Sequence, residues 1–552
     1  MKKFWKALTA TALAASMAVS LAACGGSSSS SSSAGTASTA ETSASGAAGA
    51  ASEAVDTSNL KDTMNVAYNA QPSTFDPHVT GATATAEMSA FVFEKLFETT
   101  EDGDVKPQLC ESYEASDDNK DWTFKLRQGV KFSNGDEMKA DDVVASMNRW
   151  LEKSSIASKS IQTDAKEQFT KVDDYTVEIK LGKACVLLPD IIANFATPAA
   201  IMPASVVESA GDDNLTVDKL IGTGPMKYDE WKVDNYLKLT KNEYYKPFTD
   251  ESSGSWGNRS MNFSTLMVYF VTDTSTRLNG VISGDYDLAS TIAFSDVQQL
   301  KNTEGVNMVT GRSNNLTIVM NKSEESVLHD PEWRRALSYA LNLDDIMEAA
   351  YPTMNDYKAY TANACYFGEG SPWYADISQS VKQDTDKAKS MLKELGYSGE
   401  TLKMMTTQAY PDLYNASLTM KEELEAVGVK VDLQVYDWGT MLTHISDKTA
   451  FDLYPMNYPD DNNPASVNYI RKATASGFTT DEKLDGLMDD MLGQASRDDA
   501  ISYWKDTVLP YCVDSAQIIE LGQYDTVFAV SDKVKNFKPY YGLKLWGVSV
   551  EN

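Results

Sequence analysis

Trp122-Thr123-Phe124-Lys125-Leu126-Arg127-Gln128-Gly129-Val130-Lys131-Phe132-Ser133-Asn134-Gly135 leads, a few residues later, into Ala140-Asp141-Asp142-Val143. Trp122, Phe124 and Leu126 alternate with Thr123 and Lys125, the two-residue period of a strand with one face on a core. Gly129 marks a turn, Val130-Lys131-Phe132 reads as a continuation of the strand, and Asn134-Gly135 is a strong turn dipeptide. Asp141 then opens a helix predicted through about Glu152, with acids in the first turn, where the helix dipole favours them.

The same interleaving continues outward in both directions. Met64 to Tyr68 is a predicted strand, Ala84 to Phe97 a predicted helix and Tyr175 to Leu181 a strand. Gly222-Thr223-Gly224-Pro225 reads as a rigid turn, its glycines permitting tight backbone geometry and its proline fixing φ. Strands follow at Leu237 to Leu239 and Leu266 to Phe270, then a helix from Thr274 to Ser283. Asp330 to Ala350 reads as one long amphipathic helix, on which Arg334 and Arg335 pair with Asp330 along the surface. Helices at Asp386 to Leu395 and Tyr414 to Val427 precede a strand at Lys430 to Tyr436. Helices alternating with strands argue for α/β lobes rather than a sandwich or a bundle.

The chain's 552 residues favour roughly two to four domains. Lys and Arg number 49 against 79 Asp and Glu, a formal net charge of −30. Such a surface repels polyanions, so nucleic acid is not an expected partner. The only histidines are His78, His329 and His444, in no metal or triad spacing, and no nucleophile elbow or phosphate loop is present. No catalytic residue, metal or cofactor is therefore expected. Cys110, Cys185, Cys365 and Cys512 are widely scattered and read as free or buried thiols, with one or two long-range disulfides left open.

The beginning of the chain carries an address. Lys2, Lys3 and Lys6 form a basic segment, and Ala7 to Ala23 is uncharged and alanine-rich, the pattern of an export signal. It ends in Leu21-Ala22-Ala23-Cys24-Gly25, which matches the lipobox of bacterial lipoproteins and implies a thioether to diacylglycerol on Cys24. From Gly25 to about Ser58 nearly every residue is Ser, Ala, Gly or Thr. That composition cannot offset the entropy of ordering, so a flexible tether spanning on the order of 30 Å is expected.

Several segments, in order, resemble the family 5 extracellular solute-binding proteins, the oligopeptide-, dipeptide- and nickel-binding group. They are Ser73 to His78 with Phe93 to Leu96, the Trp122 to Val143 stretch, Gly222 to Pro225, Thr276 to Leu278 with Ser283 to Asp287, Asp330 to Ala340, and Asp386 to Lys389 with Leu395 to Tyr397. The resemblance implies a class II α/β binding-protein fold of two lobes, with an extra domain inserted in the first and a ligand enclosed by hinge closure. It divides the chain into a signal peptide (1–23), a tether (24–58), a first lobe in three pieces (59–97, 220–312 and 521–552), an inserted domain (98–219) and a second lobe (313–520). It further implies a monomeric lipoprotein on the extracytoplasmic face, partnered by the permease and ATPase subunits of an ABC importer, with a peptide or other small solute as ligand.

In peptide-binding members an aspartate of the second lobe, after an aromatic residue and before a proline, holds the ligand's terminal ammonium. The corresponding stretch is Phe451-Asp452-Leu453-Tyr454-Pro455-Met456-Asn457-Tyr458-Pro459-Asp460-Asp461-Asn462-Asn463-Pro464. Counting back from Pro464 selects Asp460. Counting forward from Asp452 selects Asp461, with Tyr458 as the aromatic. A third register puts Asn457 at the key position. Asp460 and Asp461 are preferred and stay unseparated, and as a bare sequence the stretch also reads as a solvated acidic turn. Trp438 matches a family tryptophan that lines the side-chain pocket, and reads equally as a core aromatic at a strand end. No arginine lies between Arg335 and Arg471, the interval from which dipeptide binders hold a ligand carboxylate, so longer peptides fit better than dipeptides. An oligosaccharide or metal chelate on the same fold, a secreted hydrolase, and a peptide-sensing surface lipoprotein are the competing readings.

Overall fold

The computed structural model describes residues 59–552 apart from 155–156, 158–159, 162–166, 354–357, 364, 460, 471–475 and 480. The signal peptide, Cys24, the tether and Asp460 thus lie outside the described residues.

One sheet of 11 strands organises the molecule. From one edge it runs Lys430–Tyr436, Thr401–Thr407, Leu453–Pro459, Val306–Met320, Ile519–Ser531, Leu288–Ala289, Thr63–Tyr68, Thr265–Phe270, Tyr236–Lys241 and Met226–Lys232, with Tyr360–Thr361 paired to Ile519–Ser531 off this path. Its two halves meet at the long central strands Val306–Met320 and Ile519–Ser531, which pair antiparallel from Val306↔Ser531 to Ile318↔Ile519. That ladder has two irregularities, between Arg312 and Asn314 and between Leu316 and Thr317, the second opposite Gly522 and Glu520. From Asn314 onward Val306–Met320 takes up Leu453–Pro459 on its other side. Helices cover the outer half on the Leu453 side, with Leu337, Ile346, Met420 and Leu424 fully or almost fully buried against it.

The decisive Trp122 stretch builds a separate antiparallel sheet, Cys110–Ala115, Asp121–Leu126, Thr176–Lys180 and Phe169–Asp173. Trp122, Phe124 and Leu126 face its core as the alternation requires. Helix Ala140–Lys153 packs there, and its Asp142 carboxylate accepts from the Lys139 N–H at 2.9 Å. Asn134-Gly135 makes the expected turn, closed by Gly135 N–H to Phe132 carbonyl at 2.9 Å, but Val130-Lys131-Phe132 forms no further strand beyond one Lys131↔Glu137 bridge.

Three other expectations are corrected. The Ala84 helix stops at Val92, where Phe93 turns extended, and Phe97 opens a short strand. The long Asp330 helix is two, Pro331–Ala340 and Leu343–Ala350. Leu341 is extended and the Asn342 side chain caps the second helix, so a local polar bond wins over continuous apolar periodicity. Arg334 does not pair along the surface. It is 3% exposed and donates to the carbonyls of Leu328, His329, Ser515 and Ala516, stitching its helix to the chain's last helix turn.

Gly222 and Gly224 serve close approach rather than a left-handed turn. A Cβ on Gly222 would lie 2.1 Å from the Val92 carbonyl oxygen, and one on Gly224 would lie 2.7 Å from the Val92 carbonyl carbon. The four described cysteines are all buried.

A buried ion pair ties the inserted sheet to the large one. Arg149 Nη1 donates to Asp76 Oδ1 at 3.0 Å, and Asp76 Oδ2 accepts from the Leu215 N–H at 2.9 Å. His78 beside it sets Nε2 3.0 Å from the Ala200 carbonyl, and burial holds its imidazole down at about 4, so it packs as a neutral ring. Arg149→Met leaves the Asp76 carboxylate buried without its cation, and is expected to cost about 3 kcal/mol in urea unfolding. A loss below ~1 kcal/mol would show that the pair is replaceable.

Candidate ligand-binding cleft

Between the two halves of the large sheet lies a cleft of about 510 Å³. One wall comes from Tyr68, at the end of strand Thr63–Tyr68, the loop after it, and Glu87 of helix Thr83–Val92. The facing wall comes from Tyr410, Asn457 and Pro459, and the floor from Tyr524 to Phe528 of the central strand. Phe195 and Tyr541 close one side, their rings stacked at 6.3 Å.

Strand alternation decides which residues of Leu453–Pro459 face this space. Asn457 and Pro459 line it, with Asn314 opposite Pro459 in register. Tyr458, between them, points to the other face and stacks on Tyr469 at 4.1 Å. It is a support for the wall rather than part of its surface. Asn457 is held firmly: its Nδ2 donates to Asp412 Oδ2 at 2.7 Å, and its Oδ1 accepts from the Tyr351 hydroxyl at 3.2 Å. Tyr351 in turn stacks on Tyr524 at 4.2 Å.

Asp461 lies on the bend just beyond Pro459. Its Oδ1 accepts from Asn194 Nδ2 at 3.2 Å, and its carbonyl accepts from the Tyr541 hydroxyl at 3.4 Å. Its neighbour Asn462 lines a second chamber of about 400 Å³, which shares Asp525 and Tyr541 with the first. Pro459 on the first chamber and Asn462 on the second therefore flank the place where the two chambers meet. Trp438 stands one ring back from the surface. It meets Tyr410 edge-on at 4.7 Å and packs between two cores, while Tyr410 faces the cleft.

Sequence reasoning passed over Glu87, Tyr410, Asp412, Tyr524 and Asp525. Glu87 had a usable signal, since it is the one charged residue of Thr83–Val92. Inside the fold it is 5% exposed, accepting from the Tyr68 hydroxyl and the Leu543 N–H. Gly542 makes room for it, because a Cβ there would meet Glu87 Oε1 at 2.0 Å. Burial pushes the Glu87 carboxyl up to about 6, against the pull of the Lys544 charge. Lys544 is itself buried, and its Nζ has no hydrogen-bond partner and sits 4.3 Å over the Phe195 ring. Burial pushes it down to about 8, with Glu87 opposing the shift.

The family model for bacterial extracellular solute-binding proteins, family 5, matches residues 104–479. The chain belongs to this family. A dipeptide-binding protein of Escherichia coli is 27% identical over 415 residues, covering 70% of this chain and 74% of its own. A probable peptide ABC transporter periplasmic-binding protein of Sinorhizobium fredii is 25% identical over 391 residues, covering 69% and 71%. Among solved structures, the ABC transporter substrate binding protein CtaP of Listeria monocytogenes superposes with a TM-score of 0.75 at 22% identity, covering 89% of this chain and 100% of its own. The oligopeptide-binding protein AppA of Bacillus subtilis, in complex with a nonapeptide, gives 0.70 at 19% identity over 90% and 100%. The α/β fold of this family 5 protein is thus that of the class II binding proteins. No helix among its described residues is long and apolar enough to cross a membrane.

Lys544→Met removes the opposite charge that restrains the Glu87 carboxyl, so its midpoint is expected to climb above about 6 in carboxyl ¹³C NMR titration. An unmoved midpoint would mean that the two groups do not sense each other.

Proposed function

We propose that this protein is the substrate-binding lipoprotein of an ABC importer, capturing peptides outside the cytoplasm and delivering them to a permease. The observation that carries the reading is that Pro459 lines one chamber of the cleft and Asn462 the other, with the two acids between them in sequence. An ammonium enclosed there loses its water, and only a close carboxylate with good hydrogen bonds offsets that loss. Asp460 or Asp461 supplies it. Asp461 is braced by Asn194 on the bend. Tyr410, backed by Trp438, gives a ring against which side chains pack.

The relatives' names support the peptide class, and the second chamber supports length. A dipeptide leaves much of the joined space empty, whereas a longer chain runs from one chamber into the next. The irregular pairing at Arg312 to Asn314 and opposite Gly522 lies near the proposed lobe borders at 312/313 and 520/521, where the two long strands bend during closure. Lipidation of Cys24 holds the protein at the membrane, with the tether giving it reach.

Mass spectrometry of whatever leaves the cleft on denaturation is the direct test. A set of peptides longer than three residues is expected, and glycans would sink the substrate class. A second reading has one observation in its favour: Asn457, a neutral amide, faces the cleft among aromatic rings, as a sugar site would have it. Asp460→Asn and Asp461→Asn separate the two. At least one is expected to weaken peptide binding on the order of 100-fold, about 3 kcal/mol. Neither having an effect would favour the neutral ligand.

A further inference from the structure

Apart from the cleft, a small chamber of about 20 Å³ lies between helix Thr83–Val92 and the chain's last segment. The charged residues lining it, among those described, are Lys95, Arg259 and Lys544 against Glu98. Lys95 and Arg259 share the Glu98 carboxylate, Lys95 Nζ at 3.0 Å. They also donate to carbonyls, Lys95 to Ala193 at 2.7 Å and Arg259 to Ser255 at 2.9 Å. Lys544 has no such outlet. It is 3% exposed, and its Nζ has no hydrogen-bond partner among the described residues. The Nζ stands 4.3 Å over the Phe195 ring, which lines the same chamber. Trp546, also on the lining, has a buried Nε1 that likewise lacks a partner. Glu87, outside this lining, attracts the Lys544 charge, but its hydrogen bonds come from the Tyr68 hydroxyl and the Leu543 N–H. Glu94 attracts Arg259 and accepts from Gln108 Nε2 at 2.7 Å.

We infer that this chamber binds a single halide ion, chloride under ordinary conditions, with Lys544 Nζ and Trp546 Nε1 as its donors. Buried N–H groups without acceptors are costly, and a buried ammonium is costlier still. The chamber holds roughly one water-sized sphere, so carboxylates, phosphate and sulfate are too large for it. A water molecule fits by size but brings two protons that need acceptors, and the Glu98 oxygens are already taken by Lys95 and Arg259. A halide accepts from every side and donates nothing. Three cations against one carboxylate on the lining favour a negative occupant over a neutral one. Burial draws Lys544 down only to about 8, so it carries its charge at pH 7. The ion would tie the last segment to helix Thr83–Val92, whose Glu87 faces the cleft.

The test has a crystallographic arm and a solution arm, both on the full-length protein. Crystals grown in sodium bromide are expected to show an anomalous difference peak in contact with Lys544 Nζ. In solution, replacing gluconate by chloride at constant ionic strength is expected to raise the melting midpoint by about 2 °C, because the ion binds the folded chain alone. Lys544→Met is expected to cancel that rise, and Trp546→Phe, which keeps a ring and loses the N–H, to reduce it. Glu87→Gln removes a competing negative charge and is expected to enlarge it. Should Lys544→Met fail to fold, Trp546→Phe and Glu87→Gln decide by their opposite signs. A peak without anomalous signal, a water only, overturns the inference. So does a chloride effect that is the same in the wild type and every folded variant. Bromide density with no chloride effect in solution is an adventitious ion only, and overturns it too.

Discussion

Backbone pairing between Val306–Met320 and Ile519–Ser531 is the constraint on which the rest hangs. A sheet strand cannot leave its amides unpaired inside a protein, so these two long strands must keep their ladder while passing from one half of the molecule to the other. The interruptions of that ladder are the places where the chain tolerates a change of direction. On one side they recruit Leu453–Pro459, on the other Leu288–Ala289, and the space left between those recruits is the cleft. Binding-site geometry is therefore inherited from hydrogen-bond register. Asn457 faces the cleft and Tyr458 faces away because the strand beside them fixes which residue stands opposite Asn314.

Charge is buried deliberately around this space. The Asp76–Arg149 pair and the Lys95, Glu98 and Arg259 cluster lie almost wholly out of water. Pairs of this kind contribute little net stability over apolar packing, but each leaves a heavy penalty for misplacement. They fix how the inserted sheet, the helix Thr83–Val92 and the terminal segment around Lys544 sit against one another. Glu87 is the point at which such a framework charge reaches the cleft surface, so its hydration and its partner on the far side both bear on what the cleft accepts.

Much of the architecture could be read from the residues, because alternation and capping are local. Trp122 to Leu126, Thr274 to Ser283 and Lys430 to Tyr436 form the expected elements with little or no change in their ends. Breaks were less legible: the Asn342 cap competes with a periodic apolar face, and nothing in the spacing says which prevails. The glycines of Gly222 to Pro225 were visible as special, yet their purpose depends on the Val92 backbone, far away in the chain. For the site, the acidic bend was proposed from resemblance alone, and Trp438 stands one ring behind Tyr410. Glu87, Tyr410, Asp412 and Asp525 converge from separate parts of the chain, and single-sequence patterning holds no record of that convergence.

The thiols carry a last consequence. Cys110 and Cys512 sit in apolar surroundings, and burial pushes the Cys110 thiol up to about 12 and that of Cys512 up as well. Thiolate, the form that attacks disulfides and peroxides, is then almost absent at neutral pH. At these two positions the folded chain offers an oxidant no ready thiolate. For Cys110 and Cys512 the vulnerable interval is the time before the core closes over them.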